Sequence, residues 1–236
     1  MDMTDARSPS APPAARAIMD TLLLLTVGAG LLLAGLWIPD GTLGERLALP
    51  LRTALVLLLL TWLLRRSGQG WGAIGLRWPD RPWRAISIAL LGYVLIATVA
   101  TVLLSMVFPA MGWPANTIDA FAHLRGNTGE YLYWLLIAWS CAAIGEELIF
   151  RGFLLNRLER AFGGGRAAML AAVLIQAVVF GLSHAYQGPG GIWLTGITGL
   201  LLGGVYLLSG RNLVVCILLH GLVDSVSLTA IYVGVV

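Results

Sequence analysis

An all-α bundle of about seven membrane-crossing helices is the architecture this chain predicts. Three observations predict it. Hydrophobic residues make up 58% of the 236 positions and charged residues only 11%, against roughly 25% charged in a soluble domain. The apolar residues fall in long blocks rather than in strand-like alternation. Arginines collect on alternate sides of those blocks.

Residues 1–17 contain SPSAPPAARA, which has no periodicity and predicts a disordered cytoplasmic tail. The remainder, 18–236, reads as a single membrane domain. Its first apolar run, 18–38, is longer than a signal-peptide core of about 7–15 residues and is read as a retained span. Further spans are predicted at 47–64, 85–108, 131–157, 167–186, 191–208 and 212–235. Between the second and third, WGAIGLRWPDRPWR (71–84) mixes Trp, Arg and Pro as an interfacial segment does. The segment 109–130, with Pro109, Pro114 and His123, is the longest loop predicted on the outer side, and His123 is expected to be exposed there.

All 15 basic residues are arginine, a bias of GC-rich bacterial genomes. Arg7, Arg16, Arg65, Arg66, Arg77, Arg81, Arg84, Arg151, Arg157, Arg160, Arg166 and Arg211 lie on one side, and only Arg46, Arg52 and Arg125 on the other. Cytoplasmic loops carry the excess of Lys and Arg, so the expected location is a bacterial cytoplasmic membrane with the N-terminus in the cytoplasm. The dispersed arginines form no stripe with interleaved aromatics, which argues against nucleic acid. Cys141 and Cys216 sit inside apolar blocks and are expected to pack as small hydrophobes.

Seven ionisable groups cannot be assigned to loops. Asp20 is near a span end and is expected to reach the interface. Glu146, Glu147, Arg151, His184, His220 and Asp224 cannot. Each would cost about 2.5–3.5 kcal/mol facing lipid at the bilayer centre, so they must face inward, pair, or line a watery cavity. Glu147 and Arg151 are four apart, as are Phe180 and His184, and His220 and Asp224, so each pair shares a helix face. Glu146 is turned about 100° from Glu147 on an α-helix. Gly145 and Gly152 flank the charges in GEELIFRG and allow close helix approach.

Depth decides whether these groups can meet. The helical pattern of span four runs on through FLLNRLERAF, and the break is Gly163–Gly165. A hairpin turning there puts His184 level with about residue 144, within one turn of Glu146. Arg157 and Arg160 then serve as snorkelling interface anchors. By the same rise, His220 and Asp224 lie about 13 and 20 Å in from Arg211, in the same slab as Glu146. A depth-matched set of carboxylates and histidines is what water activation at a carbonyl requires.

The order EExxxR (Glu146, Glu147, Arg151), FxxxH (Phe180, His184), HxxxD (His220, Asp224), all within spans, resembles the CAAX protease and bacteriocin-processing family (CPBP, or Abi), which includes the type II CAAX prenyl endopeptidases. The resemblance covers about residues 131–230. It implies an intramembrane endopeptidase that acts on a membrane-associated or prenylated peptide. In it, Glu146 with His184 activates water, His220 and Asp224 steady the oxyanion, and Glu147, Arg151 and Phe180 support them. The family pattern is compatible with either a glutamate-type or a metal-dependent enzyme. Zinc is commonly held by His and carboxylate, so Glu146, His184 and His220 form a candidate metal set. An ionised Asp224 cannot donate to an oxyanion. It must therefore be protonated, orient His220, or ligate a metal. The alternative reading is a non-catalytic membrane binding or bacteriocin-immunity protein that retains the pocket. Oligomeric state is left open by the residues.

Overall fold

A computed structural model describes residues 13–35, 37–38, 42–113 and 119–235. Among them there is no strand, and seven helices are long and apolar enough to cross a membrane. These are α1 (Ala14–Gly35), α2 (Leu43–Arg66), α3 (Pro82–Ala110), α4 (Thr128–Ala161), α5 (Gly165–Leu182), α6 (Gly188–Leu208) and α7 (Leu213–Val233). The predicted tail lies mostly outside the described residues. Its last four positions, 14–17, are already helical, so α1 begins a turn earlier than predicted.

Local chemistry accounts for the helix ends and irregularities. Thr42 caps α2 by accepting from the Glu45 backbone N–H at 3.2 Å, and Arg65 and Arg66 close its last turn, where cations favour the helix dipole. Inside α2, Pro50 supplies no N–H to the Arg46 carbonyl four residues earlier. The Tyr133 hydroxyl donates to that carbonyl instead, at 2.7 Å, and so ties α2 to α4. Pro82 opens α3 at a position where a missing N–H costs nothing. Near its far end the hydrogen bonding widens to π-type over Leu103–Val107, just before Pro109. A proline ring crowds the carbonyl four residues back, here that of Ser105, and displaces the ladder.

The hairpin between α4 and α5 turns where the sequence predicts. Gly163, Gly164 and Gly165 have φ of 85°, 78° and 86°, a left-handed run that side chains with a Cβ rarely adopt. Helix α5 ends at Leu182 rather than continuing to 186. Ser183 donates its hydroxyl to the Phe180 carbonyl at 2.7 Å, and the His184 ring turns to the same oxygen, so side chains finish the helix. A short 3₁₀ turn, Ala185–Gln187, leads into α6.

Helix α5 packs closely on α6 through small residues. A Cβ on Gly181 would lie 2.6 Å from the Ile192 carbonyl, and one on Gly199 would lie 2.9 Å from the Phe180 ring. Between apolar helices in lipid, such close approach supplies the dispersion that holds them together. The core runs from Leu60, Leu63 and Leu64 of α2 through Phe153 and Leu154 of α4 to Leu202 of α6 and Leu219 of α7. Cys141 and Cys216 are both buried and free.

Asp20 and Arg157 depart from expectation. Neither reaches an interface: Asp20 is fully buried and Arg157 nearly so. Helix α1 packs on the last turns of α4, which brings the two together. Asp20 accepts from Arg157 Nε at 3.1 Å and from Arg66 Nη2 at 2.9 Å. Arg157 also donates to Gln69 at 3.0 Å and lies 4.7 Å above the Phe153 ring. Arg160 is exposed, as an anchor should be.

Candidate active site

GEELIFRG lies in the middle of an unusual element. From Ala138 to Leu154, α4 is bonded as a π-helix, 17 residues long, with α-helical turns on either side. Most π-segments are single turns, frequently at functional sites. Bonding to the fifth residue widens the turn, so Glu146 and Glu147 diverge by less than the roughly 100° expected of an α-helix. Where the segment ends, the Asn156 side chain donates to the carbonyls of Arg151 (3.2 Å) and Gly152 (2.6 Å). Gly145 and Gly152 bring neighbours close, as predicted: a Cβ would sit 2.6 Å from Thr53 Cγ2 at the first and 2.9 Å from Leu213 Cδ1 at the second.

Glu147 is fully buried and serves two partners through one oxygen. Its Oε1 accepts from Arg151 Nη1 and from His220 Nδ1, each at 2.8 Å. A carboxylate paired with arginine only accepts, so the proton between Glu147 and His220 belongs to Nδ1. The other ring nitrogen, Nε2, faces Asp224 Oδ2 at 3.6 Å and Glu146 Oε2 at 4.0 Å. Glu146 and Asp224 are the open carboxylates, 23% and 27% exposed, and neither makes a hydrogen bond among the described residues.

His184 sits in the turn after α5, not within the helix. Its Nδ1 is 2.9 Å from the Phe180 carbonyl oxygen, which fixes the proton there and leaves Nε2 as an acceptor. The residue joins the others through the Phe180 ring, which lies 4.9 Å from His184, 6.3 Å from His220 and 4.9 Å from Phe150, centroid to centroid. Arg151 covers the face of that ring at 4.5 Å, a cation–π contact in a dry setting.

Sequence reasoning missed Gln176. Fully buried in α5, it donates to the Gly199 carbonyl at 2.9 Å, the same oxygen that Arg151 Nη2 reaches at 3.2 Å. The signal was present: Gln176, Phe180 and His184 are spaced four apart along one helix face. Gly203 makes room for it, since a Cβ there would lie 3.0 Å from Gln176 Nε2.

The candidate zinc set does not converge. Among the described residues no three His, Cys, Asp or Glu side chains form a group able to hold a metal ion. Glu147 occupies His220 Nδ1 and the Phe180 carbonyl occupies His184 Nδ1, so the open ring nitrogens are the two Nε2 atoms, and the Phe180 ring contacts both imidazoles.

No curated protein and no solved structure matches the chain. Residues 128–226 match the family model "Type II CAAX prenyl endopeptidase Rce1-like". That stretch contains Glu146, Glu147, Arg151, Phe180, His184, His220 and Asp224, and it begins at the first residue of α4. The part of the chain that builds the site is thus similar to the type II CAAX prenyl endopeptidases of the Rce1-like family.

Proposed function

We propose that the chain is an intramembrane endopeptidase that hydrolyses a peptide bond of a membrane-associated or prenylated peptide. One observation carries the reading: of the carboxylates gathered around His220, Glu146 is open, like Asp224, and makes no hydrogen bond among the described residues, while Glu147 is committed to Arg151 and His220. A partly exposed carboxylate with free lone pairs is what a general base needs.

In the proposed step, a water held between Glu146 and His184 Nε2 gives a proton to Glu146 as its oxygen bonds to the scissile carbonyl carbon. The oxyanion that forms is met by the Nε2–H of His220 in its protonated form, with the ring oriented by the Nδ1–H bond to Glu147. The C–N bond then breaks as the proton held by Glu146 passes to the leaving amine. Asp224, beside the same Nε2, is assigned to orienting His220. The seven apolar helices support an integral membrane setting, and the arginine asymmetry supports a cytoplasmic N-terminus.

The test uses the purified full chain in liposomes, with a farnesylated C-terminal CAAX peptide and its unprenylated twin, read by mass spectrometry. Cleavage at one bond, lost in Glu146→Gln and in His184→Ala, is the expected result. Cleavage that survives both substitutions would remove these residues from the mechanism, and a cellular phenotype that survives them would favour the binding-protein reading. Metal analysis and a chelator titration run alongside. Loss of activity with recovery on zinc would replace side-chain water activation by a metal-dependent step.

A further inference from the structure

A second polar site lies at the arginine-rich end of the bundle, apart from the residues described above. A cavity of about 350 Å³ opens there, lined by Gln69, Asn156, Arg157, Arg160, Gly164 and Arg211 among others. Three of its lining residues are arginines, and Glu159 is the one acidic residue.

The charges are unevenly used. Glu159 is taken by Arg211 through both oxygens, at 2.6 and 2.8 Å, and their hydrogen bond holds the Arg211 guanidinium above its ordinary pKa. Arg157 is 3% exposed at its side chain and pairs with Asp20 and Gln69 through Nε and Nη1, but its Nη2 is buried with no partner. Arg160 makes no ion pair among the described residues. A buried arginine nitrogen without an acceptor is costly, which marks a place where an acceptor belongs.

The second observation is independent of the first. Helix α5, 18 residues long, starts at this cavity, and its N-cap Gly164 offers no side chain to the free N–H groups of the first turn. The three glycines before and at its start leave open space where a Cβ would stand. Unsatisfied backbone donors and the positive end of the dipole then face the same cavity as the arginines, an arrangement suited to phosphate.

We propose that this cavity binds the phosphate of an anionic lipid headgroup, held by Arg157, Arg160 and the N-terminus of α5. Lipid is the source favoured by position. The cavity lies where apolar helices end, on the same side as Trp78 and Trp83, which are 78% and 81% exposed as headgroup-level aromatics are. A phosphate bound here would hold together α2's exit loop, the end of α4 and the start of α5. The inference does not depend on the peptidase reading.

The experiment uses the purified full chain and native mass spectrometry, with phosphatidylglycerol, phosphatidylcholine and inorganic phosphate as separate probes. Saturable binding of phosphatidylglycerol over phosphatidylcholine is expected. Because Arg160 is exposed and unpaired, Arg160→Gln should fold normally and weaken that binding about tenfold, the loss of one charge-assisted contact. Arg81→Gln, at an exposed arginine outside the cavity, should leave it unchanged. Equal losses in the two variants, or no preference between the lipids, would overturn the proposal. Displacement of the lipid by inorganic phosphate at comparable concentration would overturn the lipid assignment.

Discussion

Two clusters of buried charge hold this bundle together, and they are made of the same materials. At the arginine-rich end, the Asp20 carboxylate is shared by Arg66 and Arg157, one arginine on each oxygen. Deeper in, Glu147 holds Arg151 and His220 on a single oxygen, and its Oε2 has no partner. Around that second cluster stand two more carboxylates, Glu146 and Asp224, partly exposed and without hydrogen bonds among the described residues. The first cluster has used its acidic capacity, and the second has acidic capacity to spare. A buried carboxylate with both oxygens taken is a structural device; partly exposed carboxylates with spare acceptors are equipment for chemistry.

The sharpest way to break this comparison is to exchange the expected phenotypes. Glu146→Gln should lower the cleavage rate by about 10³-fold, within the range for losing a general base, while the unfolding temperature stays close to that of the parent. Asp20→Ala should do the reverse. It strands two arginines, one of them buried, and should cost about 3–5 kcal/mol of stability, read by thermal unfolding in detergent, with the rate per folded molecule preserved. If Asp20→Ala were catalytically dead yet as stable as the parent, the division into structural and chemical clusters would fail.

Glu147→Gln tests the residue that belongs to both categories. The amide can still accept from Arg151 or His220, but it loses the charge that holds both. A fall of about 10²-fold in kcat with KM little changed is expected, together with reduced stability. A purely structural Glu147 would instead lower the amount of folded protein and leave kcat per active site intact.

How far the sequence foretold these clusters follows from what kind of signal each one leaves. Hydrophobic blocks and arginine asymmetry are summed over many residues, so seven spans and the Gly163–Gly165 turn could be read with small errors at the ends. Spacing by four revealed the Glu147–Arg151 pair because both residues lie on one helix. The Glu147–His220 bond joins positions 73 apart, and nothing local announces it. Asp20 misled for the same reason. Near a span end an aspartate can reach water, and only the packing of α1 on the end of α4 turns it inward to Arg157. The π-bonded stretch was also illegible, because its residues have ordinary helical propensities and the widening arises from the register between neighbours.

The smallest effect expected is the most local one, and it tests whether the catalytic cluster depends on close packing that the structural cluster does not need. Gly199 lies under Phe180, the ring that touches Arg151, His184 and His220. A methyl group at 199 would stand 2.9 Å from Phe180 Cδ1 and 3.4 Å from the Ala177 backbone, so the ring must move. Overpacking of this kind costs about 1–3 kcal/mol, partly offset by the better helix propensity of alanine. Gly204, on the same helix, has nothing within 4 Å of its would-be Cβ, so Gly204→Ala carries the propensity gain without the clash. Gly199→Ala should therefore lower both stability and cleavage rate, while Gly204→Ala should raise stability slightly and leave the rate alone. A Gly199→Ala protein that cleaves at the parent rate would mean that Phe180 packs beside the histidines without holding them in register.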